Sequence, residues 1–210
     1  MIGPQQILKR AQRVVFPVTC GIAPIQFHEI IHPAKKLTTQ FSDWDKDLGA
    51  GTFWEVCAIA ILANYFQPKL CLEIGTGLGR TTLHLALNTN DQAQVLTFDI
   101  TDHPNVGMIF RNNPAQSKIK KVTANSKEFD FSPYFGKIDF VMIDGGHDYQ
   151  TVAFDTQTAF KLVAPNGLII WDDFSPDWPG VVKALNECSF SSKLRRIAGT
   201  SYVYYKNSMS

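Results

Sequence analysis

The stretch Ile138-Asp139-Phe140-Val141-Met142-Ile143-Asp144-Gly145-Gly146-His147 ends an apolar run with an acid, a glycine pair and a histidine. A second run, Leu168-Ile169-Ile170-Trp171, ends in Asp172-Asp173, 28 residues beyond Asp144. If both runs are neighbouring strands, the three carboxylates converge at one sheet edge. Converging carboxylates raise one another's pKa unless a cation lies between them. Hard oxygen donors suit magnesium or another hard divalent cation better than zinc. Asp144, Asp172 and Asp173 are therefore the candidate metal ligands. His147 is the candidate general base, because imidazole is the usual proton acceptor near neutral pH. A loop-fixing histidine and a turn-capping aspartate are the alternatives for these positions.

Upstream, Leu72-Glu73-Ile74-Gly75-Thr76-Gly77-Leu78-Gly79 follows another apolar run and opens a helical pattern. Glycines there let the backbone turn tightly and approach a ligand, with helix N–H groups facing it. The spacing is G-x-G-x-G, not the G-x-G-x-x-G of dinucleotide-binding folds. Asp99 closes the next apolar run, 20 residues beyond Gly79, where an acid can accept both hydroxyls of a ribose. Asn125 and Ser126 follow the third run, at a position suited to an adenine edge or to a turn.

These elements in this order resemble the class I S-adenosylmethionine-dependent methyltransferases. The Asp144–Tyr149 stretch, Leu162–Gly167 and Asp172-Asp173-Phe174 narrow the likeness to the macrocin-type and cephalosporin-biosynthesis O-methyltransferases, over about residues 52–206. The resemblance implies S-adenosylmethionine held by Glu73, Gly75, Thr76, Gly77, Gly79, Asp99, Asn125, Ser126 and Asp144. It also implies a divalent cation at Asp144, Asp172 and Asp173, with His147 and Asp144 serving the chemistry. Asn166 stands where relatives usually have glycine, and asparagine tolerates the same turn.

Apolar runs at 69–74, 94–100, 119–123, 138–143 and 167–171 alternate with helical patterns at 79–88, 105–113 and 150–163. Such alternation predicts parallel strands joined by right-handed crossovers. After a helix near 179–188, strands at 193–198 and 201–206 flank Gly199-Thr200 and predict an antiparallel hairpin. The expected architecture is an α/β, doubly wound, Rossmann-like, seven-stranded and mostly parallel sheet closed by that hairpin. Residues 1–51 are expected to form a helical or irregular cap, with Ile7, Leu8, Ala11, Val14 and Val15 on one helical face, and 52–210 the catalytic domain. Thr52 and Glu55 have capping-box spacing for a helix that Pro68 stops.

The chain has 210 residues, enough for one core, and a formal net charge of +1. No strong field draws it to nucleic acid or to a membrane surface. Four scattered cysteines without a CxxC pair and apolar runs too short for a bilayer point to the cytoplasm. The expected partners are a small-molecule acceptor and copies of the same chain. His28-Glu29-Ile30-Ile31-His32 matches the zinc-peptidase pattern, but Pro33 biases His32 away from a helix. A coincidence is the better reading. A nicotinamide-dependent oxidoreductase and a cofactor-binding protein without catalysis are the remaining rivals.

Overall fold

The computed structural model describes residues 21–32, 36–42 and 52–208. The expected helical face from Ile7 to Val15 therefore lies outside the described residues, as do Cys20 and Trp44. In chain order the elements are β1 (Pro24–Ile25), α1 (Phe27–Ile30), α2 (Phe53–Phe66), β2 (Leu70–Ile74), α3 (Arg80–Leu87), β3 (Gln94–Asp99), β4 (Ile119–Thr123) and β5 (Ile138–Ile143). They continue with α4 (Tyr149–Leu162), β6 (Val163–Trp171), α5 (Pro179–Glu187), β7 (Arg195–Ile197) and β8 (Val203–Lys206).

Among the described residues, one sheet of eight strands runs in the order β1-β7-β8-β6-β5-β2-β3-β4. Strands β2 to β6 pair in parallel, and β8 runs antiparallel to both β6 and β7. The direction of the chain through the sheet reverses at β2, whose neighbours are β3 and β5. Open α/β sheets bind ligands at such a switch point, beyond the carboxyl ends of the strands.

Side chains alternate across each strand. Leu72, Phe98, Val141, Ile169 and Trp171 join a core with residues of α4 and α5, such as Leu162 and Leu185. Cys71, Val95, Phe140, Met142 and Ile170 face the other way, onto α2 and α3 through Ile59, Leu62 and Leu83. Each fully buried large apolar side chain contributes roughly 1.5–3 kcal/mol. Trp171 is buried whole because its indole N–H donates to Thr156 Oγ1 at 3.0 Å.

The capping box is present: Thr52 N–H donates to Glu55 Oε2 at 2.6 Å, and Thr52 Oγ1 accepts from Glu55 N–H at 3.4 Å. Helix α2 ends at Gln67, whose φ of 47° is left-handed, one residue before Pro68. Asn166 has a φ of 62°, the left-handed turn expected at this position. No helix among the described residues is long and apolar enough to cross a membrane.

Three expectations need correction. The sheet has an eighth strand, because Pro24 and Ile25 pair in parallel with β7. A part of the expected cap thus extends the sheet. The pattern at 105–113 is not a helix but a run of turns. Gly107 N–H donates to Gly77 O and Ile109 N–H to Leu78 O, so amides a helix needs are spent on the glycine loop. Gly107 and Asn112 are also left-handed, at φ 75° and 66°. The hairpin turn spans 198–202, longer than Gly199-Thr200 alone.

Candidate functional site

The glycine loop leaves β2 at the switch point. Gly75 has a φ of 101°, and a Cβ there would lie 1.9 Å from Asp144 O. Only glycine fits, because Asp144 N–H bonds Ile74 O at 2.8 Å and draws the end of β5 against the loop. Gly77 N–H donates to Asp99 Oδ2 at 3.0 Å, and Thr101 N–H donates to Asp99 Oδ1 at 3.1 Å. Asp99 therefore orients the loop and keeps lone pairs for further donors.

Glu73 points to the opposite face of β2 and is 1% exposed. Its Oε2 accepts from the Thr82 hydroxyl of α3 and from Thr97 Oγ1 of β3 at 2.5 Å. Thr97 Oγ1 lies 2.6 Å from Thr76 Oγ1, so hydroxyls tie the loop to this acid from behind. Burial pushes the Glu73 pKa up to about 7, assisted by the charge of Asp99 and opposed by the two threonine bonds.

Between the loop and the ends of β3, β4 and β5 lies a cavity of about 470 Å³. Gly75, Gly77, Asp99, Asn125, Ser126 and Asp144, all expected to hold the cofactor, line it. Glu73, Thr76 and Gly79, also expected to hold the cofactor, do not line it; Glu73 and Thr76 lie behind the loop, joined through Thr97. The side chain of Asn125 serves its own turn. Its Oδ1 accepts from Lys127 N–H at 3.1 Å and its Nδ2 donates to Glu128 Oε1 at 3.0 Å. Sequence reasoning missed Ile100, Thr151 and Asp155 in the wall. Ile100 carried a signal, being an apolar residue just past a strand-end acid, and it is 72% exposed.

Asp144 also lines a smaller cleft with His147, Asp172 and Asp173. Burial, then the charges of Asp172 and Asp173, raise the Asp144 pKa well above the usual carboxylate range. His147 Nε2 lies 2.7 Å from Asp173 Oδ2, and its ring stacks on Trp178 at 4.0 Å and 19°. Asp173 is left-handed, with a φ of 59°, which turns the chain just past β6.

Asp144, His147 and Asp173 each present one ligand atom, all within 4.8 Å of one another. Asp172, expected as a third carboxylate ligand, is not in that group. Its Oδ1 accepts from Ser201 Oγ at 2.5 Å and from Asp173 N–H at 2.6 Å. Ser201 Oγ also lies 2.6 Å from Glu55 Oε1, which accepts Ser201 N–H at 3.0 Å. One hydroxyl proton cannot serve both acids, so keeping both contacts puts a proton on one carboxyl. Burial, followed by the charge of Glu55, accordingly brings the Asp172 pKa up to about 7.

The zinc-peptidase pattern does not form its site. Helix α1 ends at Ile30, Glu29 Oε2 accepts from Gln26 N–H at 2.6 Å, and His32 follows in non-helical backbone. Cys57, Cys71 and Cys188 are unbridged.

Residues 72–174 match a methyltransferase-domain family. No curated protein sequence matches significantly. The methyltransferase PaMTH1 of Podospora anserina, solved with S-adenosylhomocysteine, superposes with a TM-score of 0.62 at 16% identity, covering 97% of this chain and 96% of that one. The O-methyltransferase TomG of Streptomyces achromogenes, solved with S-adenosylmethionine, gives 0.59 at 14% identity over 97% of both chains. An O-methyltransferase of Bacillus cereus, solved with S-adenosylhomocysteine, gives 0.60 at 16% identity, covering 74% of this chain and 80% of that one. Together with the glycine loop at the switch point and the antiparallel β8, these matches show that the chain has the fold of the class I S-adenosylmethionine-dependent methyltransferases.

Proposed function

We propose that the protein transfers the methyl group of S-adenosylmethionine to a hydroxyl of a small molecule, assisted by a divalent cation. The observation that carries this reading is the position of Asp144. It belongs both to the cavity lined by Gly75, Gly77 and Asp99 and to the cleft holding His147 and Asp173. A cofactor with its ribose at Asp99 and its sulfonium toward Asp144 therefore presents its methyl group to the cleft. The solved O-methyltransferases named above support oxygen as the acceptor atom.

Methyl transfer is a displacement at carbon and needs donor and acceptor held in line. Gly75 and Gly77 let the backbone close on the cofactor, and Asp99 takes its ribose hydroxyls. With Nε2–H donated to Asp173, His147 exposes Nδ1 as a base for the acceptor's proton. Trp178 holds the ring in that orientation. The donor set fits a divalent cation, since Asp144 and Asp173 are hard ligands whose repulsion a cation relieves. Asp144 and Asp173 Oδ1 would hold it, with Asp172 poised behind them. When bound, the cation would polarise the acceptor oxygen.

Turnover is measured with labelled cofactor against a panel of sugar, phenolic and polyketide alcohols and the corresponding amines. Chelation should abolish methyl transfer, and magnesium should restore it. Undiminished turnover after exhaustive chelation rejects the cation, while transfer to nitrogen acceptors alone rejects the hydroxyl.

A further inference from the structure

Asp155 lies in the middle of α4, one turn beyond Thr151, and both residues line the large cavity. It is 1% exposed, yet neither carboxylate oxygen meets a hydrogen-bond donor. A Cβ built on Gly145 would lie 3.7 Å from Asp155 Oδ2, which places the acid under the cavity floor. Lys127, the nearest cation, donates instead to Thr151 Oγ1 at 2.8 Å. Burial brings the Asp155 pKa up to about 6. The Ser126 hydroxyl beside it and the Lys127 ammonium pull it down, while Asp148 adds to the rise. An acid without a donor is an unfavourable choice for a buried helix position, so its chemistry calls for a ligand.

The cavity decides which part of a ligand that is. Asp144 and Gly75 stand at the end that meets the acidic cleft, and Asp99 marks the ribose. Ser126, Lys127, Thr151 and Asp155 line another part of the wall, with exposed Ile100 beside Asp99 to cover a flat ring. A purine beyond the ribose reaches this end. The 6-amino group carries the N–H donors of an adenine attached to ribose, and it needs an acceptor. Asn125 Oδ1 already accepts from Lys127 N–H, whereas both Asp155 oxygens stand without a geometric partner. The acceptor left unspent is Asp155.

We propose that Asp155 accepts the 6-amino group of the cofactor's purine and makes the cavity selective for 6-aminopurine over 6-oxopurine nucleosides. Ser126 and the Lys127–Thr151 bridge give way by side-chain rotation to admit that edge. The assignment rests on the cavity being the S-adenosylmethionine site. Calorimetry with S-adenosylhomocysteine and with its 6-oxo counterpart, S-inosylhomocysteine, tests the two separately. The wild-type protein should prefer the amino ligand by at least about tenfold, because the oxo ligand sets a carbonyl against a buried carboxylate. Asp155→Asn should bring the two ligands within about threefold, since its amide can accept from the amine or donate to the oxo group. Asp155→Ser, which removes the carboxylate, should also lose the preference and serves if the first variant does not fold. Binding of both ligands without preference by the wild type, or a full preference kept by either folded variant, overturns the role of Asp155. Binding of neither ligand by the wild type overturns the cofactor site itself, and this assignment with it.

Discussion

His147 is held from two sides, by Asp173 at 2.7 Å and by the stacked ring of Trp178. His147→Ala should lower the single-turnover rate by about 10²–10⁴ and leave cofactor affinity unchanged, as removal of a positioned base does. An unchanged rate at saturating cofactor and acceptor would make the residue structural. Glu73 yields a prediction about stability. Its pKa of about 7 in the fold lies above the ordinary 4.5, so the native state holds the proton more tightly. The stabilisation is complete below about pH 4.5 and is lost as pH rises through 7, by about 3 kcal/mol in all. Glu73→Gln should therefore lose ground to the wild type in denaturant titrations at pH 4.5 and recover it at pH 8. A difference that stays constant with pH would show that Glu73 does not titrate in this window. Residues that read clearly from sequence were strand-end acids such as Asp99 and Asp144, because a polar residue closing an apolar run has few other uses. Asp155 gave no such signal: it sits mid-helix, and only the packing of α4 under Gly145 buries it.

The first turn of α2 meets the end of β6 through the Ser201 hydroxyl, and the glycine loop meets the end of β5 through backbone. Gly75 and Gly77 separate two effects there. A Cβ at Gly75 would strike Asp144 O at 1.9 Å, whereas one at Gly77 meets nothing within 4 Å. Gly77→Ala bears only the cost of a left-handed alanine, about 1–2 kcal/mol. Gly75→Ala bears that cost and must also part the ends of β2 and β5. Denaturant titration should find Gly75→Ala clearly the less stable of the two, with cofactor binding lost. Equal losses would mean that β5 does not press on the loop as described. Element boundaries were legible where local chemistry sets them, as with the Thr52–Glu55 cap and Pro68. They were not legible where distant backbone competes, as when Gly77 and Leu78 carbonyls take the amides of Gly107 and Ile109. The link from Glu55 through Ser201 to Asp172 joins residues 146 apart in sequence, a separation that no local pattern spans.

At the scale of the molecule, the parallel strands and closing hairpin were written in the alternation of apolar runs and helical patterns. The two-residue β1 was not, since Pro24-Ile25 has no periodicity to read and gains its pairing from β7. A net charge of +1 supplies no long-range steering, so ligand selection falls to the cavity. The glycine loop, the strand-end acids and the cavity point to one conclusion, that this cavity binds S-adenosylmethionine with Asp99 on its ribose. Calorimetric titration of the wild-type chain and Asp99→Ala with S-adenosylhomocysteine tests it most directly. The wild type should bind one equivalent, and the variant should bind more weakly by about 1.5–3 kcal/mol, the scale of hydrogen bonds to a charged group. No binding by the wild-type protein, or equal affinity in the two, would contradict it.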